Sequence, residues 1–288
     1  MDIQRYYRQA TAQEIAYYTE MLYPLQDKVF ELVRLYEQKL YLTGGTALSR
    51  FYFQHRLSED LDFFTTTDDL KLIANDLRLR LIAQGYEVEI EKLDIYFARF
   101  YVLHAGATLK VEFVKEFHLI DPLVQTEHGI YINSLEDIGA NKITAFEDRA
   151  AIKDIIDLYY ITQRLSFPRL FELADRKRIP VAYEHLLTLN VTGITGQALL
   201  AHDIPATALA AFLMELKGVT EAEIKKKEMS RANNLEPIIH RLLWEFPAER
   251  RSLNADSIPV LQQRLHTLSL PDRRALARRL ATIQHQPN

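Results

Sequence analysis

Apolar side chains recur at three-and-four spacing through the first forty residues. Ile15, Tyr18, Leu22, Leu25, Val29, Leu32, Val33 and Tyr36 fall on one helical stripe, so residues 1–39 are predicted to be helical. The short apolar run Tyr41-Leu42-Thr43 follows and stops at Gly44-Gly45. A helix is expected next, from Thr46 at its N-cap to Gln54. The run Asp60–Phe64 reads as a strand, and residues 68–84 as an amphipathic helix closed by Gly85. Residues 86–93, 96–105 and 107–117 alternate polar and apolar positions in the manner of strands, with Gly106 at a hairpin turn between the last two. From Ser134 onward the pattern is nearly all helical: 135–148, 150–164, 168–176, 180–187, 206–217, 220–231, 235–246, 257–267 and 271–284. Trp244 with Ile238, Ile239, Leu242 and Leu243 reads as helix core. The order predicts an α+β fold, a small mixed sheet followed by helices. Residues 1–165 form the expected core with its N-terminal helices, and 166–288 a helical C-terminal domain with a softer break near Gly218.

Composition narrows the function classes. The 288 residues are 48% hydrophobic and carry 35 Lys+Arg against 39 Asp+Glu, a net charge of −4. That balance argues against a uniformly basic nucleic-acid coat and against a polybasic membrane binder. With no cysteine, disulfide scaffolds, thiolate zinc sites and a cysteine nucleophile are excluded. The opening residues lack an apolar secretory core, and no apolar run approaches the ~18–20 residues that span a bilayer. A cytoplasmic location without membrane partners is expected, and any metal must be held by Asp, Glu, His or Asn. His55, His104, His118 and His128 are scattered and read as structural or surface residues.

The chemistry concentrates in residues 42–64. Only nine glycines occur, and two are adjacent at Gly44-Gly45, between a predicted strand and a helix N-terminus. Glycine allows close backbone approach, and free helix N–H groups attract anions. Thr46 adds a hydroxyl and Arg56 a positive charge to the same mouth. Asp60 and Asp62 stand two apart on a predicted strand, hence on one face, with Ser58 beside them if the strand reaches that far back. Two like charges on one face call for a cation, and a hard divalent ion such as Mg2+ or Mn2+ suits oxygen donors. A phosphate cradle beside a carboxylate pair points to nucleotidyl transfer from an NTP.

Such a site needs a third acid. Glu112, in the run Leu109-Lys110-Val111-Glu112-Phe113, is the candidate, with Glu116 on the same face as fallback. Further on, Lys142 could neutralise charge on a triphosphate. Asp154 could orient Lys142 or the nucleotide, and Asp157 could cap or pair structurally.

These residues resemble the AbiEii/AbiGii-like nucleotidyltransferase toxins, a branch of the polymerase-β-like nucleotidyltransferase superfamily. The resemblance rests on Gly44-Gly45-Thr46, then Arg56-x-Ser58-x-Asp60-x-Asp62, then Glu112, Lys142 and the run Lys153-Asp154-x-x-Asp157-Leu158, and covers roughly residues 30–165. Lys153 stands where the family's run often has arginine. The resemblance implies a polymerase-β-like core and metal-dependent transfer of an NMP onto an acceptor hydroxyl, the acceptor being RNA, notably the tRNA 3′ end. It implies Asp60, Asp62 and Glu112 as metal ligands and catalytic acids, with Lys142 and Asp154 also catalytic. Gly44, Gly45, Thr46, Arg56 and Ser58 would hold the nucleotide. It also implies the toxin half of a type IV toxin–antitoxin or abortive-infection pair, with a separately encoded antitoxin. A nucleotidyltransferase-like binding module without catalysis, or transfer to a protein or small molecule, remains the alternative.

The modest net charge is an average of unlike parts. Residues 1–224 hold 23 Lys+Arg and 33 Asp+Glu, whereas residues 225–288 hold 12 and 6. The basic arm is either a set of solvated helix faces or a track for RNA phosphates.

Overall fold

A computed structural model describes residues 3–177 and 194–233. The helices expected at 180–187, 235–246, 257–267 and 271–284, Trp244 and most of the basic arm lie outside the described residues. The chain forms two compact units, Met1–Lys217 and Gly218–Asn288, and every site discussed below lies in the first.

The first residues depart from the helical expectation. A 3-10 turn, Ile3–Tyr6, leads into a three-residue strand β1 (Tyr7–Gln9) before helix α1 (Ala12–Tyr17) begins. Thr11 and Glu14 form a reciprocal capping box at its start. A π-type turn, Tyr18–Leu22, carries the chain into α2 (Tyr23–Val33), whose Leu25, Val29, Phe30, Leu32 and Val33 are buried. Strand β2 (Tyr41–Thr43) is fully buried and runs directly into α3 (Gly44–Ala47), which continues through a π-type turn, Leu48–Tyr52. The helix therefore starts two residues earlier than expected. Thr43, not Thr46, is the N-cap, because the φ of +68° at Gly44 turns the chain into the helix at once.

Strand β3 (Leu61–Thr65), helix α4 (Leu70–Ala83) and strands β4 (Glu87–Leu93), β5 (Phe97–His104) and β6 (Ala107–Lys115) follow the predicted order. Ala105 and Gly106, with φ of 49° and 85°, close β5 to β6 across the pair His104–Ala107. Two positive φ values match the twist that a tight hairpin needs. Two short strands, β7 (Val124–Gln125) and β8 (Tyr131–Ile132), complete a mixed seven-stranded sheet in the order β4-β5-β6-β3-β2-β8-β7. Its centre pairs β3 parallel to β6 and antiparallel to β2, with Asp62 opposite Glu112 on one side and Thr43 on the other.

The period of two sets the faces. Leu61, Phe63, Val111 and Phe113 are buried, Phe63 and Phe113 stacking with ring centroids 5.8 Å apart. Asp62, Lys110, Glu112 and Val114 fall on the opposite face and line a cleft. Across it lie α5 (Leu135–Arg149), capped by the Ser134 hydroxyl, and α6 (Ile152–Ile161). Ala150, at φ 47°, makes the turn between them.

Helix α7 (Phe167–Arg176) buries Phe167, Leu170, Phe171, Leu173 and Ala174. Strand β9 (Ala198–Leu200) then pairs parallel with β1, so the stretch after Ser134 is not purely helical. Helix α8 (Ala206–Asn233) runs through Gly218 without a break where two helices were expected. A lone helical glycine costs only about 1 kcal/mol.

Candidate active site

The acidic wall is built by strand register. Asp62 and Glu112 are partners across the β3–β6 ladder, and Asp60 lies just ahead of β3. The Lys110 ammonium stands among them, 2.9 Å from Asp60 and 3.5 Å from Glu112. Arg99 on β5 grips the other oxygen of Glu112 at 2.5 Å and also pairs with Glu91. Burial, and then the charges of Glu112 and Asp60, raise the Asp62 carboxyl to about 7. Burial would also raise Glu112, but Lys110 and hydrogen bonds with Asp62 and Arg99 hold it below its ordinary value. The wall is thus carboxylate-rich and only partly neutralised.

Gly44 and Gly45 border this wall for different reasons. A Cβ on Gly44 would sit 2.6 Å from Asp62 Oδ2, and one on Gly45 would collide with the Arg56 guanidinium. Both glycines line the cleft. Thr46 and Ser58 are buried, their hydroxyls 2.8 Å apart, and Thr46 also donates to the Asp60 carbonyl. Both hydroxyls expected to face nucleotide instead tie the glycine turn to the segment before β3. Ser58 precedes that strand and does not share its pleat, since β3 begins at Leu61.

Arg56 was expected at the phosphates. Its guanidinium is buried and forked onto Asp157, with Nε donating at 2.7 Å and Nη2 at 2.9 Å. Lys142, also buried, donates to Asp154 at 2.7 Å and lies 2.6 Å from Asp157. Arg149 makes a second fork onto Asp154, at 2.7 and 3.0 Å. Asp154 and Asp157 lie three apart on α6, which puts both on the side facing α5. Burial opposes their charged forms, yet Arg56 and Lys142 hold Asp157 well below the ordinary carboxylate range, and Lys142 and Arg149 hold Asp154 below it. His55 is buried with Nε2 2.7 Å from Asp157, and burial lowers its pKa against the pull of that carboxylate.

The two groups share one cleft of about 1190 Å³, lined by Gly44, Asp60, Asp62 and Glu112 on one side and Lys142, Arg149 and Asp154 on the other. Of the expected site residues it brings together Gly44, Gly45, Asp60, Asp62, Glu112, Lys142 and Asp154, while Arg56 and Ser58 contribute to its lining from buried positions. The fallback Glu116 accepts instead from Lys177 at 2.9 Å, at another part of the lining.

Sequence reading missed Lys110, Arg99 and Arg149 as site residues. The signal for Lys110 was present, since it alternates with Glu112 on the polar face of one strand. Arg99 needed the β5–β6 register, which pairs it with Glu112.

A metal ion fits the wall by donor chemistry, three carboxylates being hard oxygen donors. Their arrangement is not a preformed cage: no group of three acids or histidines among the described residues converges closely enough to hold an ion.

Comparisons with known proteins place the family and the fold. The family described as "Nucleotidyl transferase AbiEii toxin, Type IV TA system" matches residues 31–227. The fold is similar to that of JHP933 from Helicobacter pylori, at TM-score 0.51 and 23% identity over 73% of this chain and 96% of that one. It is also similar to that of MenT4, a nucleotidyltransferase toxin from Mycobacterium tuberculosis H37Rv, at TM-score 0.52 and 18% identity over 91% of this chain and 94% of that one. No curated protein matches the sequence significantly. With the family match covering more than half its length, the chain belongs to the AbiEii family of nucleotidyltransferase toxins and is a nucleotidyltransferase.

Proposed function

We propose that the protein transfers an NMP from an NTP to an RNA hydroxyl, at the tRNA 3′ end, with a divalent metal held by Asp60, Asp62 and Glu112. The observation that carries this reading is the pairing of Asp62 with Glu112 across β3 and β6, beside a glycine turn whose Gly44 lies against Asp62. Mg2+ or Mn2+ bound there would supply charge neutralisation for the triphosphate. The Gly44-Gly45 turn offers backbone N–H groups to the phosphates, and Thr46 and Ser58 brace that turn from behind. Lys142, oriented by Asp154, faces charge that develops on the nucleotide. The acceptor oxygen bonds to the α-phosphorus, the bond from that phosphorus to the β-phosphate oxygen breaks, and pyrophosphate leaves. Glu112 helps to take the acceptor's proton, a role open to a carboxylate at the edge of the acidic wall.

Membership of a toxin–antitoxin family supports a toxin role, and with it a separately encoded antitoxin and a cytoplasmic site of action. No described helix is long and apolar enough to cross a membrane. The basic residues after 224 favour RNA as acceptor over a protein or small molecule. The test is incubation with each α-labelled NTP and total RNA or total protein, with and without EDTA and over a salt series. Label in RNA that is lost with EDTA and falls steeply with salt is expected. Label in protein alone, or transfer indifferent to EDTA, would overturn the reading.

A further inference from the structure

Lys110 occupies an unusual place. Its ammonium lies 2.9 Å from Asp60 Oδ2 and 3.5 Å from Glu112 Oε2, and Asp62 is paired with Glu112 across β3 and β6. The side chain is half-buried and lines the cleft. It lies two residues before Glu112 on β6, so the pleat fixes it on the face of the acids it touches.

An ammonium in this position does what a bound cation would do. The other charges nearby do not compete for the role. Arg99 approaches Glu112 through the opposite oxygen and is shared with Glu91. Lys142 and Arg149 are committed to Asp154 and, for Lys142, Asp157. Among the described residues, Lys110 alone spans two of the three proposed metal ligands.

We infer that Lys110 is a tethered placeholder cation, which neutralises Asp60 and Glu112 while the site is empty and must release them before a divalent metal binds. The inference rests on the reading of Asp60, Asp62 and Glu112 as metal ligands. Lys110 is therefore a positioning residue that sets metal affinity. Once released it stays on the cleft face, where its charge favours a triphosphate. Metal and NTP would then enter together: the metal displaces the ammonium, and the phosphates give it a new partner. If the paired form of Lys110 is about 90% populated, it weakens apparent metal affinity about tenfold.

The experiment is Mn2+ binding to the full-length protein without nucleotide, followed by loss of the free-ion electron paramagnetic resonance signal. Wild type, Lys110→Met, Lys110→Arg and Asp62→Asn are compared. Lys110→Met should bind Mn2+ about tenfold more tightly, and Lys110→Arg should stay near wild type. Thermal melting gives a second readout that also reports folding: without metal Lys110→Met should melt below wild type, and Mn2+ should raise its melting point more. Equal affinity in wild type and Lys110→Met, with binding lost in Asp62→Asn, overturns the placeholder role and leaves the metal site standing. Binding unaffected by Asp62→Asn removes the metal site and this inference with it.

Discussion

The two walls of the cleft hold their charges in opposite ways. On α5 and α6, Asp154 and Asp157 are fully buried, and each accepts from two cationic side chains at 2.6 to 3.0 Å. Their carboxyls are held below the ordinary range. On β3, β6 and the residue just ahead of β3, the acids Asp62, Glu112 and Asp60 outnumber the cations paired with them, and Asp62 is raised to about 7. One wall is a closed ion-pair network that locks two helices and the Arg56 segment together. The other is left short of positive charge beside a glycine turn. A folded chain tolerates such a shortfall where a ligand makes it good, so on the proposed reading the under-neutralised wall takes the metal and the paired wall holds Lys142 in place beside it.

The largest expected effect separates the walls by activity. Asp60→Ala and Asp62→Asn should each remove about 4 kcal/mol of transition-state stabilisation, roughly a thousandfold in rate, and abolish any growth toxicity while the fold is kept. A still-active Asp60→Ala protein would break the assignment.

The next effect separates them by stability. Asp157→Asn strips the charge partner from buried Arg56 and Lys142, and a broken buried pair costs about 3–5 kcal/mol. Urea denaturation should show that loss for Asp157→Asn and none of comparable size for Asp62→Asn. Similar midpoints for the two variants would mean that the supporting network carries no load.

Gly45→Ala tests the seam between the walls. The new methyl meets the Arg56 guanidinium, which is fixed on Asp157, and overpacking of this kind costs about 1–3 kcal/mol. Gly44→Ala should instead lower activity more than stability, since its methyl meets Asp62.

The smallest effect is in pH. The folded chain keeps the Asp62 proton to about pH 7, whereas the unfolded chain loses it near about pH 4. Across that window the folded state binds more protons, so this group's contribution falls as pH rises. Asp154, Asp157 and Glu112 act the other way: their contribution is full above about pH 4 and is lost on further acidification. Asp62→Asn should therefore stabilise the apo protein at pH 8 by about 1–2 kcal/mol relative to pH 5, by calorimetric melting. A variant effect that is flat in pH would remove the raised carboxyl.

The acids were legible because local spacing carries them. Asp60-x-Asp62 on a strand and Glu112 among alternating apolar residues need no tertiary information beyond a period of two. The fork of Arg56 on Asp157 joins residues 101 apart, and no local pattern marks that pairing, so a buried cation was read as a phosphate ligand. The bond between Thr46 and Ser58 was not legible for the same reason, since it depends on how two loops meet. Strands β1 and β9 are three residues each and pair across most of the chain, too short for alternation to register. Gly218 was read as a soft boundary: α8 passes through it as one helix, and the division into two compact units falls at the same residue.

The most direct measurement is transfer of α-labelled NTP to total RNA by wild type and Asp62→Asn, matched for folding by circular dichroism and melting temperature. Metal-dependent labelling by wild type and background labelling by the variant is expected. Undiminished labelling by a folded Asp62→Asn protein would contradict the placement of the reaction at the β3–β6 wall.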